Sequence, residues 1–582
     1  MRRRHILSAL VILLALALAP PPVAAQNKRN FDKLADEILQ TIQSFYPVRS
    51  TEAGIHAYDN RLTDYSDKSV KNMIKKLNSL QKKIYHYRNA NLNTDDRLDY
   101  HLLKSDLDMA LLDLKQIEWQ KRSPLLYVDE AVEGLHSLMV SPHASLDQKL
   151  FPIMERVKAV PDLMKTARRN ITKPPALYIQ AATEALESGT AFYREVGAEL
   201  MKQYPDRADE ILRQFTAARE ALNDFSIYLA GLTPGDESRI AIGKKNFDYI
   251  LSNGDFLDYD SDSLLALGES LLAKAQKEYH NYETEVEDDH QNASEPVFVP
   301  ASFNRQDILD YYSWEVDQVR EFLEANNIVT VPENIAPIAV VETPDYLRTM
   351  IAGIAYQPAG AFDSVQQAYF YVRPIPKDLD QKQLEARFRY IQRRGFRGSV
   401  VHEAYPGHHL QYQIASRLSD PVRKWHQNMM FVEGWALYCE EMMYNQGLYG
   451  DEDPAMWLAV LDGIRFRAAR IVADVKISTG QFTYDQCVKW MCDQLDAETS
   501  SEQEYLAKEV RKIAHYPGVR MSYLTGKLEI ERLRSAAEEK WGDEFTLRKF
   551  HDKLLSYGAV PPTLLWDAMD LADYRGQVAL EQ

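Results

Sequence analysis

Apolar residues recur at threes and fours along most of the chain. Phe31, Leu34, Ile38, Leu39, Ile42 and Phe45 form one such series, and Leu98, Leu102, Leu103, Leu107, Leu111, Leu112 and Leu114 form another. This spacing collects the side chains on one face of a helix. The stretches "DEILRQFTAAREALNDFSIYLAGL" and "SDSLLALGESLLAKAQKEYHNY" repeat it, and no fixed-period repeat is evident. Strand signals are few. "PIAVVETP" and "QAYFYVRP" are short, rich in β-branched or aromatic residues and bounded by prolines, and both precede position 400. The pattern predicts a mainly α protein with a small sheet. The stretch "ETEVEDDHQNASEPVFVPASFNRQD" combines an acidic run with prolines and reads as a long surface loop. It divides a helical lobe over 26–295 from a second lobe over 296–582.

The first 25 residues depart from this pattern. Arg2–Arg4 make a basic start, Ile6–Ala19 an apolar run, and Val23-Ala24-Ala25 a small-residue cleavage site. Together they read as a secretory signal peptide, too short and proline-ended for a membrane span. No cysteine lies near the cleavage point, which argues against a lipid anchor. The expected location is the periplasm or the exterior, with no membrane insertion after cleavage. A net charge of −17 argues against a nucleic-acid partner. Three cysteines, Cys439, Cys487 and Cys492, are too few for a disulfide scaffold and are expected as buried thiols with at most one bridge.

The candidate chemistry lies in "SVVHEAYPGHHLQ", Ser399 to Gln411. Three of the fourteen histidines fall within eight residues here, and Leu410, Ile414 and Leu418 continue a helical stripe after them. A polar cluster in an apolar helix must be satisfied, and a metal is one way. Downstream, "FVEGWALYCEEM" sets Glu433 in an apolar run, where a charged carboxylate needs a partner or a metal. Two histidines and a glutamate, with a fourth position left open, make a catalytic zinc arrangement. Glu403, beside the first ligand, would serve as general base.

The spacing is irregular. In H-E-x-x-H the second histidine follows by four, but that position is Pro406. On an ideal helix His408 would land about 120° from His402, and His409 roughly 10 Å further along. Pro406 removes a backbone hydrogen bond, and with Gly407 it lets the helix kink and absorb two inserted residues. On that reading His408 is the second ligand, with His409 as the alternative ligand or as a residue orienting one. "HYPGVRMSYLTGK" offers Tyr516 and Tyr523 as hydrogen-bond donors to an oxyanion. Arg467, Arg470 and Asp474, at helical spacing, read as a structural ion-pair ladder.

"VHEAYPGHHLQ", "EGWALY", "RAARIVAD" and "YPGVRMSYLTGK", in this order, resemble the bacterial family called domain of unknown function 885. The early "STEAGIHAYDNRL" belongs to the same resemblance, which spans most of the chain. It implies kinship with gluzincin metallopeptidases of the carboxypeptidase Taq and thimet oligopeptidase types. Their fold is a helical, two-lobed shell around a deep cleft, with a small β-sheet next to the metal helix. In thimet-type enzymes the glutamate ligand follows the second histidine by about 25 residues; Glu433 lies 25 after His408 and 24 after His409. Those relatives also lay a glycine- and tyrosine-rich loop over the metal, which is similar to the segment holding Tyr516 and Tyr523.

The expected function is therefore an exported zinc-dependent metallopeptidase acting on short peptides, with "QAYFYVRP" as a strand edge for an extended substrate. One alternative is a metal-dependent amidohydrolase for a cell-wall or acyl-amino-acid amide. Another is a non-catalytic helical binding protein with a degenerate metal site. Oligomeric state is not legible in the sequence.

Overall fold

The computed structural model describes residues 23–286, 304–344, 354–372, 379–392, 394–450 and 454–577, with Phe298, Leu347 and Pro376 between them. Most of the expected signal segment therefore lies outside the described residues. The principal helices of the first half are α1 (Val23–Phe45), α2 (Asp67–Tyr85), α3 (Thr94–Leu111), α4 (Leu125–Val140), α5 (Leu146–Asn170), α6 (Ala176–Gln203), α7 (Ala208–Ala230) and α8 (Ser261–Val286). The periodic stripes explain them. Phe31, Leu34, Ile38, Leu39 and Ile42 on α1 are buried, as are all seven leucines of the second series. Side-chain caps start several helices. Ser145 and Gln148 exchange hydrogen bonds across the first turn of α5, satisfying donors that the helix leaves open.

After α9 (Arg305–Ala325) come three strands, β1 (Ile338–Glu342), β2 (Ala355–Gln357) and β3 (Ala368–Val372). β1 and β3 occupy the two strand-like stretches of the sequence. The order is β1-β3-β2, with β3 parallel to β1 and antiparallel to β2. This corrects the expectation that "QAYFYVRP" offers a free edge. β3 is central and both its sides are paired; the edge beside the histidine helix belongs to β2. Three residues before a proline are too short to show period-two alternation, so β2 left no legible signal.

The site helices follow: α10 (Arg394–Glu403), α11 (His408–Ala415), α12 (Met429–Asn445), α13 (Pro454–Thr479), α14 (Ser500–His515) and α15 (Ser522–Trp541). The boundary expected at 295/296 lies outside the described residues, and packing does not divide there. One core joins Phe31, Leu77 and Leu103 to Tyr311, Val401 and Trp435. A second, built on α4–α7, takes in Leu347 and Tyr371. A third joins Phe247 and Leu264 to Ile471 and Leu524. Cys439, Cys487 and Cys492 are free thiols, the first two buried. Among the described residues no helix is long and apolar enough to cross a membrane.

Candidate metal centre

The helix carrying His402 breaks rather than kinks. α10 ends at Glu403, and α11 begins at His408. Across the gap, Gly407 N–H donates to the Val401 carbonyl at 3.1 Å, and Leu410 N–H donates to that of Ala404 at 3.4 Å. Both bonds reach back six residues where a helix reaches back four, which is what two inserted residues require. Gly407 is needed on steric grounds, because a Cβ there would overlap the His402 carbonyl oxygen. Trp435 Nε1–H donates to the Pro406 carbonyl at 2.9 Å and ties the break to α12.

This geometry brings His408, and not His409, to His402. The two rings lie 4.7 Å apart at 86°. His402 Nε2 is 3.5 Å and His408 Nε2 3.6 Å from the same Glu433 oxygen, Oε2. Ligands about 2.1 Å from a tetrahedral zinc lie roughly 3.4 Å apart, so the spacing fits. Glu433 Oε2 is buried and has no hydrogen-bond partner of its own. An unsatisfied carboxylate oxygen facing two imidazole nitrogens is a donor set for a borderline cation such as zinc. His409 points elsewhere. Its Nδ1 meets the Tyr356 hydroxyl on β2 at 3.1 Å, and its Nε2 meets the Ala336 carbonyl at 2.9 Å. Burial pushes its pKa down to about 4, so it stays neutral and pins the sheet to α11.

Glu433 is placed by the crossing of α12 and α15. A Cβ on Gly434 would come within 2.5 Å of the Gly526 backbone, so only glycine permits this approach. The crossing carries Tyr523 to Glu433, and its hydroxyl donates to Oε1 at 2.9 Å. Burial and the adjacent Glu433 charge hold the Tyr523 hydroxyl protonated, well above its ordinary pKa. Tyr516 is not brought in. It is about half exposed, and its hydroxyl donates to Asp129 at 2.7 Å.

The remaining nitrogen of His402 is also held. Nδ1 lies 2.7 Å from Glu440 Oε1, and Arg467 donates to that same oxygen at 3.3 Å. Burial opposes a charged His402, but Glu433, Glu440 and Glu403 outweigh it and lift the ring to about 10. Burial likewise opposes a charged Glu433, and His402 and His408 overcome it, holding that carboxyl well below its usual range. Both shifts have one cause, the carboxylates and imidazoles held together in a buried place. Sequence reading missed Glu440 as the orienting partner, although it sits seven residues after Glu433, two turns along one helix face. The arginine ladder is also rearranged. Arg467 pairs with Glu440, Arg470 with Glu509, and Asp474 accepts backbone N–H groups of Gly518, Arg520 and Met521.

His402, Glu403 and Tyr523 stand between two cavities. One, of about 860 Å³, is lined by Glu440, Arg465, Arg467, Arg470 and Tyr505. The other, of about 310 Å³, is lined by Ile354, Tyr356, His408, Tyr412 and Glu433. A second histidine–carboxylate group lies far along the chain. His56 bonds Asp59 through Nδ1 at 2.9 Å and Asp363 through Nε2 at 2.7 Å, and its ring stacks on His143 at 3.5 Å. Both nitrogens of His56 are already used, and stacked rings aim their lone pairs in parallel. This group fits a cation poorly.

The fold and site define a mainly helical protein in which a broken helix presents histidines to a glutamate on the next. The chain belongs to the DUF885 family of bacterial proteins of unknown function, whose model matches residues 47–569. Two solved structures share the fold. One is a lipoprotein candidate of unknown function from Shewanella oneidensis, 21% identical, with TM-score 0.72 over 93% of this chain and 99% of that one. The other is a lipoprotein candidate from Colwellia psychrerythraea, 18% identical, with TM-score 0.73 over 94% and 99%. Among curated proteins, none matches this chain.

Proposed function

We propose that the protein is an exported zinc-dependent peptidase acting on short peptides. The observation carrying this reading is the convergence of His402 Nε2 and His408 Nε2 on Glu433 Oε2, with Glu403 lining the same two cavities. His402, His408 and Glu433 would hold the ion. Zinc, when bound, polarises a carbonyl and lowers the pKa of water. Glu403 accepts a proton from the attacking water and returns it to the leaving amine. Tyr523, kept protonated, donates a hydrogen bond to the oxygen that becomes negative as the carbonyl is attacked. Glu440 keeps the His402 ring oriented, and Arg467 keeps Glu440 charged. The cavities would form the cleft of a helical shell that excludes folded proteins. Export is proposed from the N-terminal segment and from the lipoprotein candidates that share the fold.

The test is mass spectrometry of a diverse peptide mixture after incubation with zinc-loaded protein. Cleavage that chelator stops is expected. Glu403→Gln should retain zinc and lose nearly all hydrolysis. Tyr523→Phe should lower kcat by roughly 100-fold, while Tyr516→Phe leaves it unchanged. An intact mixture, or full activity in Glu403→Gln, would refute the reading. N-terminal sequencing of the exported protein should find a start near Gln26.

A further inference from the structure

Negative charge that develops on a carbonyl oxygen needs hydrogen-bond donors, and a donor in use elsewhere must first break that bond. His402, Glu403, His408 and Glu433 all line the smaller cavity, so on the hydrolytic reading the attacked carbonyl sits there. Ile354, Ala355, Pro358, Met429 and Val432 contribute no side-chain donor to its wall. Three tyrosines remain: Tyr356, Tyr412 and Tyr523. Each phenol has one proton to donate. Tyr523 spends its proton on Glu433 Oε1 at 2.9 Å, and its oxygen accepts from Arg520 at 3.2 Å. Tyr356 spends its own on His409. The Nε2–H of that neutral ring donates to the Ala336 carbonyl, so Nδ1 is the acceptor, 3.1 Å from the Tyr356 hydroxyl.

Tyr412 differs from both. Among the described residues no hydrogen bond engages its hydroxyl, and the side chain is only half buried. It follows His408 by four residues, one turn on along the same face of α11. The two ring centres lie 6.3 Å apart, and the Tyr412 ring also stacks on Tyr356 at 6.2 Å and 27°. Burial, and after it the charges of Glu433 and Glu403, keep the hydroxyl protonated, so it lies within electrostatic reach of a ligand and the base.

We propose that Tyr412 is a further catalytic residue, whose free hydroxyl donates to the carbonyl oxygen as that oxygen becomes negative. The inference rests on the hydrolytic reading above and adds a donor on α11 to the one on α15. Tyr523 has to exchange its bond to Glu433 before it can act, whereas Tyr412 has none to exchange. The water oxygen bonds to the carbonyl carbon, the C=O π pair moves onto oxygen, and a water proton passes to Glu403. Tyr412 shares its proton with that oxygen without giving it up. As the pair returns, the C–N bonding electrons go to nitrogen, which takes the proton from Glu403 and leaves as an amine.

Tyr412→Phe removes the oxygen and keeps the ring that stacks on Tyr356. No hydrogen bond within the protein is lost, so thermal melting and zinc content should match wild type. Calorimetry then reads the donor without turnover. Zinc-loaded protein is titrated with a blocked phosphinic dipeptide, whose tetrahedral, charged PO2–CH2 group replaces the amide. Tyr412→Phe should bind it roughly 10- to 100-fold more weakly, the worth of one hydrogen bond to a charged oxygen. In turnover, kcat should fall by roughly 100-fold with KM unchanged, because the bond forms in the transition state. Equal phosphinate affinity, a raised KM with kcat kept, or loss of zinc from Tyr412→Phe would each overturn the role of Tyr412. Hydrolysis would still stand in those cases, since wild type cleaves. If wild type neither binds the phosphinate nor cleaves peptides, the hydrolytic reading fails and this inference with it.

Discussion

Two clusters in this molecule use the same residue types and end in opposite states. At His402, His408 and Glu433 the rings stand nearly perpendicular, and their free nitrogens face one unsatisfied carboxylate oxygen. At His56, Asp59, His143 and Asp363 the rings stack, and nearly every polar atom is already used. Asp59 accepts from Thr51, Asp363 from the Gly360 N–H, and His143 Nδ1 meets the Ser141 hydroxyl. Lys149 and Arg156 add positive charge nearby. The first arrangement asks for a cation. The second is already satisfied, with both His56 nitrogens on carboxylates, and it joins the segment around residue 56 to the loop after β2. Residue type alone does not separate these roles; the direction of the lone pairs does.

The largest effect that would break this comparison concerns zinc content. His402→Ala, His408→Ala and Glu433→Ala should each lose zinc on dialysis, beyond the ~100-fold seen for orienting partners. His56→Ala, His143→Ala and His409→Ala should keep it. Elemental analysis reads all six, and zinc loss in His409→Ala but not His408→Ala would reverse the assignment. Gly407→Ala comes next. Its methyl group would overlap the His402 carbonyl, so urea unfolding should show a loss of about 2 kcal/mol or more, accompanied by weaker zinc binding. Glu440→Gln should lower zinc affinity by about 10- to 100-fold without unfolding the protein, as competition with a chelating dye would show.

The smallest effect sharpens the second cluster. Burial lowers the His56 pKa, but Asp363 and Asp59 more than reverse this and raise it to about 9. A pKa raised on folding gives stability that is full below the unfolded value of about 6.5 and is lost as pH rises through 9. Wild type should therefore exceed His56→Gln by about 1–2 kcal/mol near pH 6, discounted for the ring's partial exposure, and by almost nothing near pH 10. Thermal melts across that range would check it. A constant difference would mean that His56 acts by packing alone.

Much of the helical fold was legible because burial imposes a period. The stripes of α1, α3, α7 and α8 needed only 3.6 residues per turn. The zinc-like grouping was legible in part for local reasons. Pro406 and Gly407 announce a distortion within one segment, and Glu433 stands out as a charge in an apolar run. His408 over His409 rested on reading Pro406 and Gly407 as a two-residue insertion, with the count of residues to Glu433 beside it, and the six-residue hydrogen bonds across the break bring His408 beside His402.

What the sequence by itself determined was therefore periodicity and local chemistry: helices, two strands, and a histidine cluster with a helix-breaking pair inside it. Tertiary structure decided which partners each group meets. It made β3 a central strand and β2 the edge, sent Tyr516 to Asp129, and dispersed the ladder of Arg467, Arg470 and Asp474 among Glu440, Glu509 and the backbone N–H groups of Gly518, Arg520 and Met521. The physical reason is one of range. A helix or a turn is fixed by neighbours within a few residues. The partner of a buried charge is whichever group the packing of distant helices brings within hydrogen-bond reach, as the glycine crossing of α12 and α15 brings Tyr523 to Glu433.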